Sequence, residues 1–197
     1  MKKKYLNLLV QPTASYDDGQ RKNFEKLVLS GGQVNKNRLS DRIARAHYLA
    51  LLYIDDELVG TNAVKNNPDH RQTVENNSGV SLANHEYLGE VGWLYVVETR
   101  RRRGLGDLLM SAILAITDGS GLFATIRSKN TGARLLHERH RFKRVGKSWP
   151  SDDESDMVYL LPASWDAQIA NAVVGGPHPL PLNPPCFCPI TILSRAP

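Results

Sequence analysis

A chain of 197 residues, 41% hydrophobic and 23% charged, has the size and balance of one soluble domain with a full core. Its formal charge is +5, and the segment from Pro162 onward holds one base, Arg195, and one acid, Asp166, so the excess belongs to residues 1–161. No apolar run is long enough to cross a bilayer, and the stretch after Met1-Lys2-Lys3-Lys4 is too short for a secretory signal, which argues against a membrane partner and for a cytoplasmic home.

The first strand is expected over residues 4–10. A helix follows from Asp18, with Phe24, Leu27 and Val28 on one face, and ends before Gly31-Gly32. A second helix is expected from about Asn35, with Leu39, Ile43 and Ala46 inward and Arg38, Arg42 and Arg45 on another face. Those arginines read either as phosphate contacts or as a solvated helix face. Residues 48–54 and 58–64 form a predicted hairpin about Asp55-Asp56-Glu57. Residues 65–89 are polar, rich in Asn and without clear periodicity, and read as a long loop, either a flap over a substrate or a mobile connection.

A strand over 90–97 then leads through a basic, glycine-containing turn into a helix over 105–117. Its apolar positions Leu105, Leu108, Leu109, Ala112, Ile113 and Ile116 form a 3.6-residue stripe. A short strand (122–126), a helix (130–140) and a last strand pair (141–146 and 157–161, about the acidic loop 151–156) complete the body. Eight of the eleven prolines lie at or beyond Pro162, so residues 162–197 read as an extended, weakly ordered appendage. Both cysteines, Cys186 and Cys188, belong to that tail. A disulfide framework for the core is thereby excluded, and without a partnering His/Cys pair at finger spacing no metal site is expected.

A mildly basic body suits a polyanionic ligand, whether nucleotide, nucleic acid or acidic surface. The place for one is Arg101-Arg102-Arg103-Gly104-Leu105-Gly106, between strand and amphipathic helix. Glycine lets the backbone approach a ligand closely, and the first-turn N–H groups of the helix form an anion site suited to a diphosphate. The segment is not a dinucleotide fingerprint, since Leu109 stands at the third glycine position. It is not a Walker loop, since Gly-Lys-Ser/Thr is absent.

Strand, Arg-x-x-Gly-x-Gly, helix resembles the acetyl-CoA pyrophosphate loop of the GNAT acetyltransferases. In that family a hydrophobic residue stands five positions before the basic one, as Val96 precedes Arg101 here. A second family block is matched by Asn130, Ala133, His137, Arg141 and Phe142, with His137 in place of the usual tyrosine and Arg141 in place of the usual glycine. The resemblance spans about residues 5–161 and is sharp over 90–142. It implies an α/β fold whose central, mixed but mostly antiparallel sheet is splayed at the cofactor site and flanked by helices. It also implies acetyl-CoA as cosubstrate and an N-acetyltransferase activity on an unidentified amine.

Carried onto this chain, the resemblance places the cofactor on Leu94, Tyr95, Val96, Arg101, Arg102, Arg103, Gly104, Leu105, Gly106 and Asn130. A backbone N–H near Leu94, Tyr95 and Val96 would hold the thioester oxygen, and Asn130 would meet the pantetheine arm or cap its helix. Glu90, eleven residues before Arg101, occupies the offset of the catalytic glutamate in the histone-acetylating branch and is the candidate base, with Glu86 and His85 as substitutes. His137 is the candidate acid for the departing thiolate, held neutral by Arg134 and Arg141. Two further readings are a non-catalytic acyl-CoA-binding module and an acetyltransferase acting on an RNA-linked amine. The four arginines 100–103 suggest nucleic acid, but without interleaved aromatics that footprint is disfavoured. A homodimer is left open.

Overall fold

The computed structural model describes residues 5–152 and 154–163. The expected tail, with Cys186 and Cys188, lies outside the described residues apart from its first two positions, as does the first residue of the expected 4–10 strand. Strand β1 (Leu6–Pro12) leads to helix α1 (Asp18–Ser30). The Asp17 side chain accepts from the Gln20 N–H while the Gln20 side chain accepts from the Asp17 N–H, a reciprocal cap that fixes where α1 begins. Helix α2 (Leu39–Ala44) starts later than Asn35. Asn35 accepts from the Asn37 N–H, and the Arg42 guanidinium grips the carbonyls of Asn35 and Asn37, so local side-chain bonds keep 35–38 out of the helix.

Strands β2 (Tyr48–Ile54) and β3 (Glu57–Lys65) form the expected hairpin, with Asp55 and Asp56 both at positive φ (51° and 66°), the geometry that matches strand twist. Residues 65–89 are not a structureless loop. They hold helix α3 (Pro68–Ser78), capped by Asn67, opened by Pro68 and closed by Gly79 at φ 72°. Arg71 donates from α3 to the carbonyls of Leu82, Tyr87 and Leu88, which fixes the entry into β4 (Tyr87–Val96), three residues earlier than expected.

Helix α4 (Leu105–Ile116), strand β5 (Gly121–Arg127), helix α5 (Thr131–Arg139) and strands β6 (Lys143–Ser151) and β7 (Glu154–Leu161) complete the fold. Arg141 adopts φ 68° just past α5, the left-handed conformation that glycine takes without strain. The last two strands run on through most of the segment read as an acidic loop.

The seven strands form one sheet in the order β1-β2-β3-β4-β5-β7-β6, antiparallel except for β4 beside β5. One face packs Leu8, Leu52, Leu109, Ile113 and Phe142 beneath α4 and α5, and the other packs Phe24, Val28, Leu39, Ile43 and Trp93 beneath α1 and α2. Close approach of β3 and β4 depends on Gly89, where a Cβ would sit 2.6 Å from the Lys65 carbonyl oxygen and 2.9 Å from Val64 Cγ1. Gly89→Ala is expected to lower unfolding free energy by about 1–3 kcal/mol, the ordinary range for overpacking. Gly132→Ala, where the nearest atom is 3.9 Å away, is the control and should be neutral or stabilising in the same thermal melts.

Candidate active site

The sheet opens at its centre. Strand β4 is hydrogen-bonded to β5 only through Tyr87–Gly121, Gly89–Leu122 and Glu90–Phe123. Beyond Glu90, β4 stays on β3 while β5 follows β7, so the two parallel neighbours diverge toward their C-terminal ends. Two cavities occupy the opening. The larger, about 950 Å³, runs from Leu94, Tyr95 and Val96 past the arginine turn to the start of α4 and the side of α5. The smaller, about 310 Å³, lies between α2, α3 and the cleft floor, and both touch Trp93, Leu94, Asn130 and Ala133.

The larger cavity is built around a helix end without a side-chain cap. Asp17, Asn67 and Asn130 cap α1, α3 and α5, whereas Gly104 at φ 76° gives α4 no side-chain acceptor. The first helical bond runs from Leu108 N–H to the Gly104 carbonyl, leaving the amides of Leu105, Gly106 and Asp107 ahead of the ladder. Dipole and bare N–H groups thus face the cavity together. Asp107 in this first turn would repel an anion, but Arg139 grips its carboxylate at 3.0 and 3.2 Å and His140 lies at 3.3 Å.

Among the arginines, Arg101 is largely committed to the fold. Its Nε donates to the Val96 carbonyl at 3.0 Å, its Nη1 reaches Glu98 at 3.4 Å, and its guanidinium lies 5.3 Å from the Tyr95 ring. Arg102 lines the cavity and is exposed; Arg103 is exposed but not part of the lining. Asn130 accepts from the Ala133 N–H, which makes it the cap of α5 as well as a wall of both cavities.

A bulge shapes the floor. Thr61 pairs with Tyr95 and Ala63 with Gly92, so Trp93 and Leu94 share the single opposing residue Asn62. Trp93 takes φ 56°, a strained conformation for a bulky residue. The buried Thr61 hydroxyl donates to the Trp93 carbonyl at 2.9 Å, and the Trp93 ring packs edge-on against Phe24 at 6.2 Å. Those contacts hold a stretch of β4 backbone out of the ladder at the cleft.

Glu90 is 4% exposed on the floor of the smaller cavity. Lys65 Nζ lies 2.8 Å from Oε1 and His70 Nε2 lies 3.5 Å from Oε2. Burial by itself raises this carboxyl, but Lys65 and then His70 outweigh it and bring it down to about 2. Lys65 reaches the site across Gly92, where a Cβ would stand 2.7 Å from its Cε. Sequence reasoning missed both partners: Lys65 and His70 fall at the end of β3 and on α3, in the segment read as a loop. The substitutes His85 and Glu86 are exposed and line neither cavity.

His137 faces the same small cavity and is 5% exposed. Its Nδ1 lies 2.8 Å from the Ala133 carbonyl, which can only accept, so Nδ1 carries the hydrogen and Nε2 presents a lone pair. Among the described residues Nε2 is buried without a partner, and the ring stands edge-on to Phe142 at 5.1 Å. Burial, then the neighbouring His140, pushes the imidazole below its ordinary value against the opposing pull of the Ala133 carbonyl and Glu90. The neutral form expected from Arg134 and Arg141 is therefore favoured for a different reason, and Arg134 is turned onto the Ser128 carbonyl.

The uncapped amides at the start of α4 and the splayed, bulged sheet beside them make an anion-accepting cleft in an α/β fold. The sequence matches the Acetyltransferase (GNAT) family over residues 15–142, and the chain belongs to that family. Its fold is shared with an acyl-CoA N-acyltransferase from Pseudomonas aeruginosa (12% identity, TM-score 0.59, 79% of this chain and 98% of that one). It is also shared with ElaA of Escherichia coli (15% identity, TM-score 0.59, 78% and 98%). A third similar structure is Arabidopsis thaliana NAA60 in complex with acetyl-CoA (14% identity, TM-score 0.58, 79% and 98%). No curated protein matches the chain in sequence. Acetyl-CoA is the cosubstrate that the family and such neighbours define. Among the described residues no helix is long and apolar enough to cross a membrane.

Proposed function

We propose that this chain is an N-acetyltransferase that moves the acetyl group of acetyl-CoA onto an amine, with Glu90, acting together with His70, and His137 carrying the proton chemistry. The observation that supports it most directly is the bare amide end of α4 facing the larger cavity, continuous through Leu94 and Asn130 with a smaller cavity that holds both groups. In this reading the diphosphate lies against Leu105, Gly106 and the Gly104 turn under the charge of Arg102 and Arg103. Arg101 buttresses the turn. The thioester then passes the bulge at Trp93 and Leu94, where free β4 amide stabilises the oxygen that becomes negative.

An alkylammonium acceptor, with an ordinary pKa of about 10.4, must lose a proton before it attacks. Glu90, kept ionised by Lys65, supplies the negative charge that draws it in. His70, against the other carboxylate oxygen and half exposed, supplies an atom that takes the proton. The neutral amine adds to the thioester carbon, its remaining extra proton passes to His137 Nε2, the C–S bond breaks, and Nε2 returns that proton to the thiolate. An imidazole that arrives neutral with a free lone pair can perform both halves of this transfer. The non-catalytic acyl-CoA-binding alternative is favoured by one observation, the histidine in place of the family's tyrosine.

This reading treats residues 1–161 as the catalytic domain and 162–197 as an appendage. It places the protein in the cytoplasm, in keeping with a body free of cysteine. Saturating acetyl-CoA is expected to raise the thermal midpoint, since a ligand held at about 100 times its Kd stabilises the native state by about 2.7 kcal/mol. Dephosphorylated pantetheine, without the diphosphate, should shift it far less. A midpoint indifferent to acetyl-CoA would remove the assignment.

A further inference from the structure

Of the charged side chains that line the smaller cavity, Arg42, Lys65 and Arg127 are basic and Glu90 and Asp156 acidic, so one cation is left over. Lys65 is matched by Glu90 at 2.8 Å, and Arg127 by Asp152 at 2.8 Å and Glu154 at 3.9 Å, while Asp156 stands opposite Arg127 across the β5–β7 ladder. Arg42 has no carboxylate partner among the described residues. Its Nη2 holds the carbonyls of Asn35 and Asn37, its Nε is buried without an acceptor, and its Nη1 has none among the described residues. The side chain lines the same cavity as Glu90 and is within reach of that carboxylate's field. A partly buried guanidinium with unmet donors is a standing demand for acidic oxygens. The space, about 310 Å³, suits a small molecule or the tip of a chain.

We propose that the acceptor is an amine that also bears an anionic group, a carboxylate or a phosphate, which Arg42 binds from α2 while Glu90 and His70 receive the amino end. This deepens the acetyl-transfer reading and rests on it for the word acceptor, though the binding preference stands without turnover. Arg38 and Arg45, which flank the same short helix, are not part of the lining; Arg42 alone turns that helix into a selectivity element.

The test compares four amines of similar length: 4-aminobutyrate, 3-aminopropyl phosphate, 4-aminobutanamide and butylamine. Each is measured by thiol release from acetyl-CoA and by calorimetric binding to the CoA-saturated protein. The two acids are expected to exceed the neutral pair at least tenfold in kcat/KM and in affinity, and the stronger of the two identifies the anion. Arg42→Gln should erase that preference by raising KM for the two acids toward that of butylamine, and Arg42→Lys should restore part of it. Equal binding of acids and neutral amines by the wild-type protein overturns the proposal whether or not Arg42→Gln folds, as does a preference that survives in Arg42→Gln. Absence of thiol release with all four, alongside tenfold tighter binding of the acids, instead overturns the acetyl-transfer reading and leaves the anion site standing.

Discussion

Glu90→Gln is expected to cut kcat for acetyl transfer by about 10²–10⁴, the usual worth of acid–base assistance, because it removes the charge that draws in the acceptor and the carboxylate that faces His70, and to destabilise the fold at the same time. The second effect comes from Lys65, whose side chain is only 18% exposed and whose ammonium loses its counter-charge. Removing one member of a buried ion pair costs about 3–5 kcal/mol, more than the pair itself contributes. The double variant Lys65→Met/Glu90→Gln should therefore recover much of the thermal midpoint while activity stays low. A double variant as active as wild type would show that Glu90 serves the fold alone. The pH dependence has a definite sign. A carboxyl lowered to about 2 binds its proton later than in the unfolded chain, so its contribution is complete above the ordinary carboxylate range and is lost as pH falls toward 2. Acid melts of Glu90→Gln should lack that portion of the decline.

His137→Phe is expected to lower kcat by about 10²-fold with little change in the KM for acetyl-CoA, because the ring fills the same space beside Phe142 and only the proton carrier is gone. The group is useful when neutral, and its value is pushed down by burial. The wild-type rate should consequently rise with pH through a point below the ordinary histidine value, and the phenylalanine variant should lose that limb. Stability follows the same direction. The unfolded chain takes up the proton first, so the native state loses support as pH falls from the ordinary value, about 6.5, through the lower folded one, and His137→Phe removes this sensitivity. His137→Tyr, which supplies the family's residue, should retain more activity than His137→Phe. Equal rates in all three would remove His137 from the chemistry.

The parts of the fold legible from sequence are those whose cause is local. The stripe Leu105–Leu109–Ile113 specifies α4 by itself, and glycines and arginines at its start announce an anion site without reference to the rest of the chain. Helix α3 escaped notice because Val74 and Ser78 are its only buried residues, so there is no apolar period to read, although Asn67, Pro68 and Gly79 do mark its ends. The bulge was illegible for a deeper reason. Nothing near Trp93 favours φ 56°; the conformation is imposed by Thr61 from the adjacent strand and by Phe24 from α1. The ion pair of Glu90 with Lys65 and His70 is likewise a product of β3 and α3 meeting β4, and the lone-pair side of His137 depends on a backbone oxygen one turn away.

The divergence of β4 and β5 has a consequence for how a ligand arrives. An opening framed by two strands, each anchored along its length to another neighbour, has a width set by ladder register and twist, not by the swing of a flexible segment. Such a frame is preorganised: little chain must be ordered on association, and the entropic penalty that weakens binding at mobile surfaces is small. Acetyl-CoA should then associate in a single kinetic phase linear in its concentration, without the plateau that a slow closing step would impose.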